Sequence, residues 1–341
     1  MPRTPVFLAV LLFSLSTNIY AGDLFDMLQR MSEADKDQNY QGTFILRKSD
    51  RLSTLRVTHG RDDDGVWESL EALNGEPRKV VRRNSKVVSV YPARELVTIR
   101  LNAKKQPLHP QLPENINQLE LFYSIEQLPD DRIANHRALV VDLVPNDKLR
   151  YGYRYWVDKN TGMLLRCDLV DEDDTVVEQM MFTSLDYMTE VPDRPFELNK
   201  FEHFEQQLLD EPVVDVKDSA PTQWVINTLP KGFMLTQRTM RYSQSLLAER
   251  SQPQEKVDQQ SMVEQKDSEP YLLHLVYSDG LASVSVFIER KQDSEQHLQG
   301  AATMGAVNAF GNSVGDYFVT VVGEVPEKTV RSMAQSAVKV N

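Results

Sequence analysis

The side chains best suited to act on another molecule are five cations within nine positions, Arg78, Lys79, Arg82, Arg83 and Lys86. Guanidinium groups make bidentate contacts to phosphate, and a β-hairpin can hold several of them in register. The cluster stands out because the chain carries 38 Lys+Arg against 50 Asp+Glu, a formal charge of −12. It reads either as an exposed hairpin end or as an anion site, and a phosphorylated lipid head group fits the second reading. The acidic balance excludes a global attraction to nucleic acid. Other chemistry finds no local signature. The histidines (His59, His109, His136, His203, His274 and His297) lack the paired spacing of zinc ligands. Asp171 to Asp174 lacks the glycine and ligand spacing of a calcium loop and reads as a solvated turn. There is no Gly-Lys-Ser/Thr phosphate cradle, and the one Gly-x-Ser-x-Gly match, Gly311 to Gly315, is not read as a nucleophile elbow. Cys167, the single cysteine, cannot form an internal disulfide and reads as a small apolar residue within a strand. No catalytic residue, metal ligand or cofactor site is assigned, and an exported hydrolase would have to assemble its site from distant residues.

The elements that must position the cations begin after a leader. Arg3 precedes an apolar run from Val6 to Leu15, and small and polar residues follow to Ala21. This is the pattern of a secretory signal peptide over residues 1–21. Its apolar run is about half of the roughly 20 residues that a membrane span needs. No cysteine lies near Ala21 for lipid attachment, so the expectation is a free, soluble protein in a bacterial periplasm. Removing 21 of 341 residues leaves 320, enough for two domains, and a hydrophobic content of 41% supports real cores.

Leu24, Met27, Leu28, Met31 and Ala34 recur at helical spacing and predict a helix from Asp23. Short strands are expected near 40–46, 52–59, 65–72, 77–83, 86–91 and 95–100, with hairpin breaks between them. Pro107, Pro110 and Pro113 make 101–113 a mobile loop. Leu119, Phe122 and Ile125 predict a helix over 117–128, and a strand follows at 137–144. Residues 151–187 then read as three antiparallel strands. Tyr151, Tyr153, Tyr155 and Val157 alternate with Gly152, Arg154, Trp156 and Asp158. Gly162 and the acidic run at 171–174 supply the turns. A linker is expected at 206–221. A smaller α+β domain follows, with strands from Trp224, a hairpin around Ser278-Asp279-Gly280, and a strand at about 317–323. Pro326 opens a closing helix through Val338. The Gln-, Glu- and Ser-rich interval 243–269 reads as a disordered excursion.

Three sets of residues resemble the RseB/MucB family, the periplasmic regulators of an envelope-stress sigma factor. They are Asn39-Tyr40-Gln41-Gly42-Thr43-Phe44, the meander with Tyr153-Arg154-Tyr155-Trp156-Val157-Asp158 and Gly162, and a C-terminal pair. That pair is Leu229-Pro230-Lys231-Gly232-Phe233 and Tyr277-Ser278-Asp279-Gly280-Leu281. The resemblance spans nearly all of the chain beyond the leader, although the 243–269 excursion is longer than the family usually carries. It implies an α+β protein. Residues 22–205 would form a large N-terminal unclosed antiparallel β-barrel, like that of lipoprotein carriers, with packed helices. Residues 222–341 would form the smaller partner-binding domain.

The function implied is binding to the periplasmic part of a transmembrane, RseA/MucA-like anti-sigma factor. Binding would protect that factor from site-one proteolysis until lipopolysaccharide or another lipid releases the complex. The expected lipid site joins the five cations to an apolar lining of Phe44, Leu46, Trp67, Phe122 and Trp156. The expected anti-sigma surface lies around Trp224, Phe233, Tyr277 and Phe287. A periplasmic lipid or lipoprotein carrier is the alternative on the same scaffold, and a homo-oligomer stays open.

Overall fold

The computed structural model describes residues 21–63, 65–101, 116–190, 198–209, 214–215, 224–242, 271–291 and 297–340. The leader up to residue 20, the proline-rich stretch 102–115 and the interval 243–270 lie outside them.

The expected first helix is present as α1, Ala21–Asp37, and its stripe of Leu24, Leu28, Met31 and Ala34 is buried. The strands that follow are β1 (Asn39–Lys48), β2 (Arg51–Asp62), β3 (Gly65–Ala72), β4 (Lys79–Arg83), β5 (Lys86–Tyr91) and β6 (Leu96–Arg100). Next come β7 (Tyr123–Ile133), β8 (His136–Pro145), β9 (Gly152–Asp158), β10 (Leu164–Val170), β11 (Val176–Met188) and β12 (Glu205–Leu208). They form one sheet in the order β12-β6-β5-β4-β3-β2-β1-β11-β10-β9-β8-β7. The outermost strands do not pair with each other, so the sheet is unclosed.

One face of β1 and β8 to β11 packs with α1 around Tyr40, Phe44, Tyr153, Tyr155 and Phe182. Gly42 is required there because a Cβ would lie 2.6 Å from the backbone oxygen of Ser184 on β11. Cys167 is buried on β10, and burial pushes its thiol well above the ordinary range.

Two features of the first sheet depart from expectation. Residues 117–128 are not one helix: a 3-10 segment, Ile116–Leu121, ends at Phe122 and β7 begins at Tyr123. Apolar residues three apart suit either element over so short a run, and pairing of β7 along most of β8 decides for strand. As an edge strand, β7 also tolerates Pro129 at its bulge between Leu128 and Asp131. The interval expected to be linker opens as β12, which runs parallel to β6 and so breaks the antiparallel rule of the sheet. Phe201 and Phe204 anchor it on a satellite core of Val88, Val90 and Val97.

The second sheet contains β13 (Val214–Asp215), β15 (Met234–Tyr242), β16 (Tyr271–Ser278) and β17 (Ser283–Arg290), together with β18 (Gly300–Met304), β19 (Val307–Val314) and β20 (Tyr317–Gly323). Their order is β13-β15-β16-β17-β20-β19-β18. The region expected to hold one strand after Gly300 therefore holds three. Helix α2, Glu327–Gln335, buries Thr329, Val330, Met333 and Ala334 against this sheet. It stops short of Val338. The Ser336 hydroxyl donates to the Met333 carbonyl at 3.0 Å and accepts from the Thr228 N–H, also at 3.0 Å. Ala337–Lys339 then becomes β21, paired with β14 (Trp224–Ile226).

Candidate functional site

The β4–β5 hairpin does not present its cations as one row. Cross-strand pairing puts Trp67 with Arg83 and Glu71 with Lys79 on one face, and Glu68 with Arg82 on the other. Lys86 pairs with Arg83, and Arg78 lies before β4, exposed. The Arg83 guanidinium donates to Asp62 Oδ1 at 2.6 Å, so part of the expected positive charge is neutralised.

The expected apolar lining divides in the same way. Phe44 and Leu46 share a face with Phe182, Met180, Cys167 and Tyr155, the side that α1 covers. Trp67 and Trp156 alternate to the opposite face. Trp156 is fixed there: its indole N–H donates to Asp131 Oδ2 at 2.9 Å and the Arg166 guanidinium lies 3.9 Å above its ring. The α1 side continues across β2 to β5 as Leu55, Leu70, Val80 and Val87, all only partly buried, with Arg82 beside Val87. The first sheet thus offers an apolar strip that ends at Arg82, with Glu68 opposite it on β3.

On the second sheet, Trp224, Phe233 and Tyr277 are buried in its core instead of lining its surface. The Trp224 ring meets Tyr317 edge-on at 5.2 Å. Only Phe287 alternates away from Val286 and Ile288, and it stacks on His274 at 4.4 Å. A docked chain meets Phe287 without opening the core and meets the other three only by opening it.

The densest polar construction lies between the two sheets. Arg150, in the β8–β9 turn, has a fully buried side chain ion-paired with the fully buried Asp279 of the β16–β17 turn. The same guanidinium donates to Asp147 Oδ2 and to the Lys231 carbonyl, each at 2.8 Å. The rings of Phe122, Tyr123 and Phe233 surround it, with centroids 5.3, 5.7 and 5.3 Å from Cζ. The Tyr123 hydroxyl donates to Asp279 Oδ2 at 3.3 Å, and burial, with the Asp279 charge second, holds that hydroxyl protonated well above its usual range. Gly232, at φ +88°, lies flat against Phe122, where any Cβ would overlap the ring. Leu281 and Ala306 of the second sheet complete the core of the first. Around this centre, Thr329 Oγ1 donates to the Leu149 carbonyl at 2.7 Å, Asn308 Nδ2 to the Tyr151 hydroxyl at 3.1 Å, and Lys328 pairs with Glu172 at 2.9 Å.

The sequence pattern of the MucB/RseB N-terminal domain matches residues 23–199, and that of the MucB/RseB C-terminal domain matches residues 218–338. The chain belongs to the MucB/RseB family. The sigma factor AlgU regulatory protein MucB of Pseudomonas aeruginosa is 29% identical over 327 residues, covering 93% of this chain and 91% of that protein. The sigma-E factor regulatory protein RseB of Escherichia coli K12 is 25% identical over 312 residues, covering 91% and 89%. Among solved structures, MucB in complex with MucA(peri) superposes with a TM-score of 0.63 at 25% identity, covering 93% of this chain and 99% of that one. The Pseudomonas aeruginosa MucA/MucB complex gives 0.64 at 26%, covering 94% and 99%.

Two MucB/RseB-like segments, 229–233 and 277–281, converge on Arg150 from the second sheet. Arg150, Asp147 and Tyr123 were not singled out from the sequence. An isolated arginine in a turn names no partner 129 residues away, and the only local signal was a basic residue flanked by apolar strands.

Proposed function

We propose that this chain is a periplasmic regulator that docks on the periplasmic region of a transmembrane anti-sigma factor and hides it from site-one proteolysis. The sigma factor stays restrained while the complex lasts. The observation that carries this reading is membership of the MucB/RseB family over both domains, together with a MucB relative solved in complex with MucA(peri). The curated relatives are named as regulatory proteins, which supports a non-enzymatic role. The leader supports export, and no helix among the described residues is long and apolar enough to cross a membrane.

Lipopolysaccharide or a related lipid is the releasing signal in this reading, held by the lipoprotein-carrier-like first sheet. The strip of Leu55, Leu70, Val80 and Val87 offers a dry surface to an acyl chain, and Arg82 offers a cation to its phosphate. Each buried methylene contributes about 0.8 kcal/mol, so a short stretch of chain suffices for binding. Phe287, half-buried over the buried His274 ring, is the part of the proposed anti-sigma surface that a partner can reach directly. The decisive experiment is cleavage of the anti-sigma ectodomain by its protease with and without this chain, then with added lipopolysaccharide. Protection that lipid reverses supports the reading, and a cleavage rate unchanged at saturating chain refutes it. The same apolar strip would serve a lipoprotein carrier, which would instead deliver bound lipid to an acceptor in a transfer assay.

A further inference from the structure

The run from Ile116 to Tyr123 belongs to two structures at once. Leu119, wholly buried, is part of the core that α1 and the first sheet share. The Phe122 N–H bonds back to the Leu119 carbonyl at 2.9 Å, so the two residues move as one turn. Phe122 and Tyr123 then supply two of the three rings around Arg150, and Tyr123 also holds Asp279. Sealing of the first core and gripping of the second sheet are thus assigned to residues four apart.

The grip itself has the character of a switch. A buried ion pair adds little net stability over apolar packing of the same volume, yet removing one partner is strongly destabilising because it leaves a buried charge uncompensated. Such a joint is therefore firmly closed or open, with little between, because half-made contacts leave a charge unpaired in an apolar cage. Phe122 seated on Gly232 adds steric register, since the ring occupies the space that a Cβ at 232 would need.

We propose that the 116–123 turn couples lipid occupancy to the joint: an acyl chain entering along the first sheet displaces Leu119, draws Phe122 and Tyr123 off Arg150, and opens the Arg150–Asp279 contact. This rests on the lipid reading above and adds its transmission residues. By linkage, whatever closes the joint must weaken lipid binding by the same factor that lipid weakens closure.

The test is hydrogen–deuterium exchange on the full mature chain, with and without saturating lipopolysaccharide, alongside a direct lipid-binding titration. Amides in 116–123, 229–233 and 279–282 should lose protection by about tenfold or more with lipid, while the paired centres of β16 and β17 keep theirs. The single variant R150M, which leaves the Asp279 carboxylate buried without its counter-charge, should show that loss without lipid and bind lipid about tenfold more tightly. Lipid binding with unchanged protection at 229–233 and 279–282 overturns the coupling and leaves the lipid reading intact. An open variant with unaltered lipid affinity also overturns it. Absence of lipid binding refutes the lipid reading and the coupling together. Should the variant fail to fold, the wild-type exchange decides alone.

Discussion

Replacing Gly232 by alanine tests the joint through a single methyl group. Two costs are separable in the structure. The backbone at φ +88° lies in the left-handed region, where an L side chain costs about 1–2 kcal/mol. The new Cβ also overlaps the Phe122 ring, which must leave its place over Arg150. Loss of that cation–π contact and of the local packing adds about 1–2 kcal/mol. G232A should therefore destabilise the joint by about 2–4 kcal/mol. A double-mutant cycle with F122A isolates the second cost, because without the ring only the backbone penalty remains. Urea unfolding followed by tryptophan fluorescence, run on wild type, both single variants and the double variant, gives the four free energies. A coupling of about 1–2 kcal/mol is expected between the two positions. If G232A costs the same with or without Phe122, close approach is not what glycine provides here.

The cations of the hairpin should separate by function. R82Q should reduce lipid-triggered release from the anti-sigma ectodomain with little change in melting temperature, since glutamine sets no like charge against Glu68 opposite. R83E should instead lower stability, by about 1–3 kcal/mol, because Asp62 then faces a like charge. Equal loss of release in both variants would return the cluster to a single site. G42A should cost about 1–3 kcal/mol, because the obstacle to its Cβ is backbone oxygen and not a mobile side chain; a melting temperature within a degree of wild type would contradict the register of β1 on β11. Lys328, then Lys148, holds the Glu172 carboxyl below its usual 4.5, so its contribution across the joint is present above that pH and is lost as pH falls through the lowered value. K328A should raise the Glu172 titration midpoint measured by NMR, and an unmoved midpoint would remove this bridge in solution.

Much of the fold was legible because its elements follow local rules. The α1 stripe, the β9–β11 meander and the β4–β5 hairpin each carry a period and turn residues that leave few alternatives. The helix expected over 117–128 gives way to β7 from Tyr123, because apolar spacing of three fits a helix turn and a strand entry alike, and only the distant β8 settles the matter. The end of α2 was missed for a similar reason: what halts it is Ser336 bonded to Thr228, 108 residues away. The lining residues fared worse, since aromatic character says nothing about which face of a sheet a residue takes. Phe44 and Trp67 look alike in sequence, and the two pairings that join β1 through β2 to β3 decide that they point apart.

Asp279 shows where local reading stops. Its turn is visible in Ser278-Asp279-Gly280, and Oδ1 does accept from the N–H groups of Leu281 and Ala282, at 3.0 and 2.8 Å, as a turn aspartate should. The turn needs nothing more, and asparagine would serve it. The other oxygen, Oδ2, is committed to Arg150 and Tyr123 of the first sheet. Only a carboxylate meets both demands, because the second one is for charge. The same division holds at Gly232, where the turn calls for a positive φ and the neighbouring Phe122 calls for the absence of a Cβ. Asp279 and Gly232 thus each satisfy their own loop and the opposite sheet together.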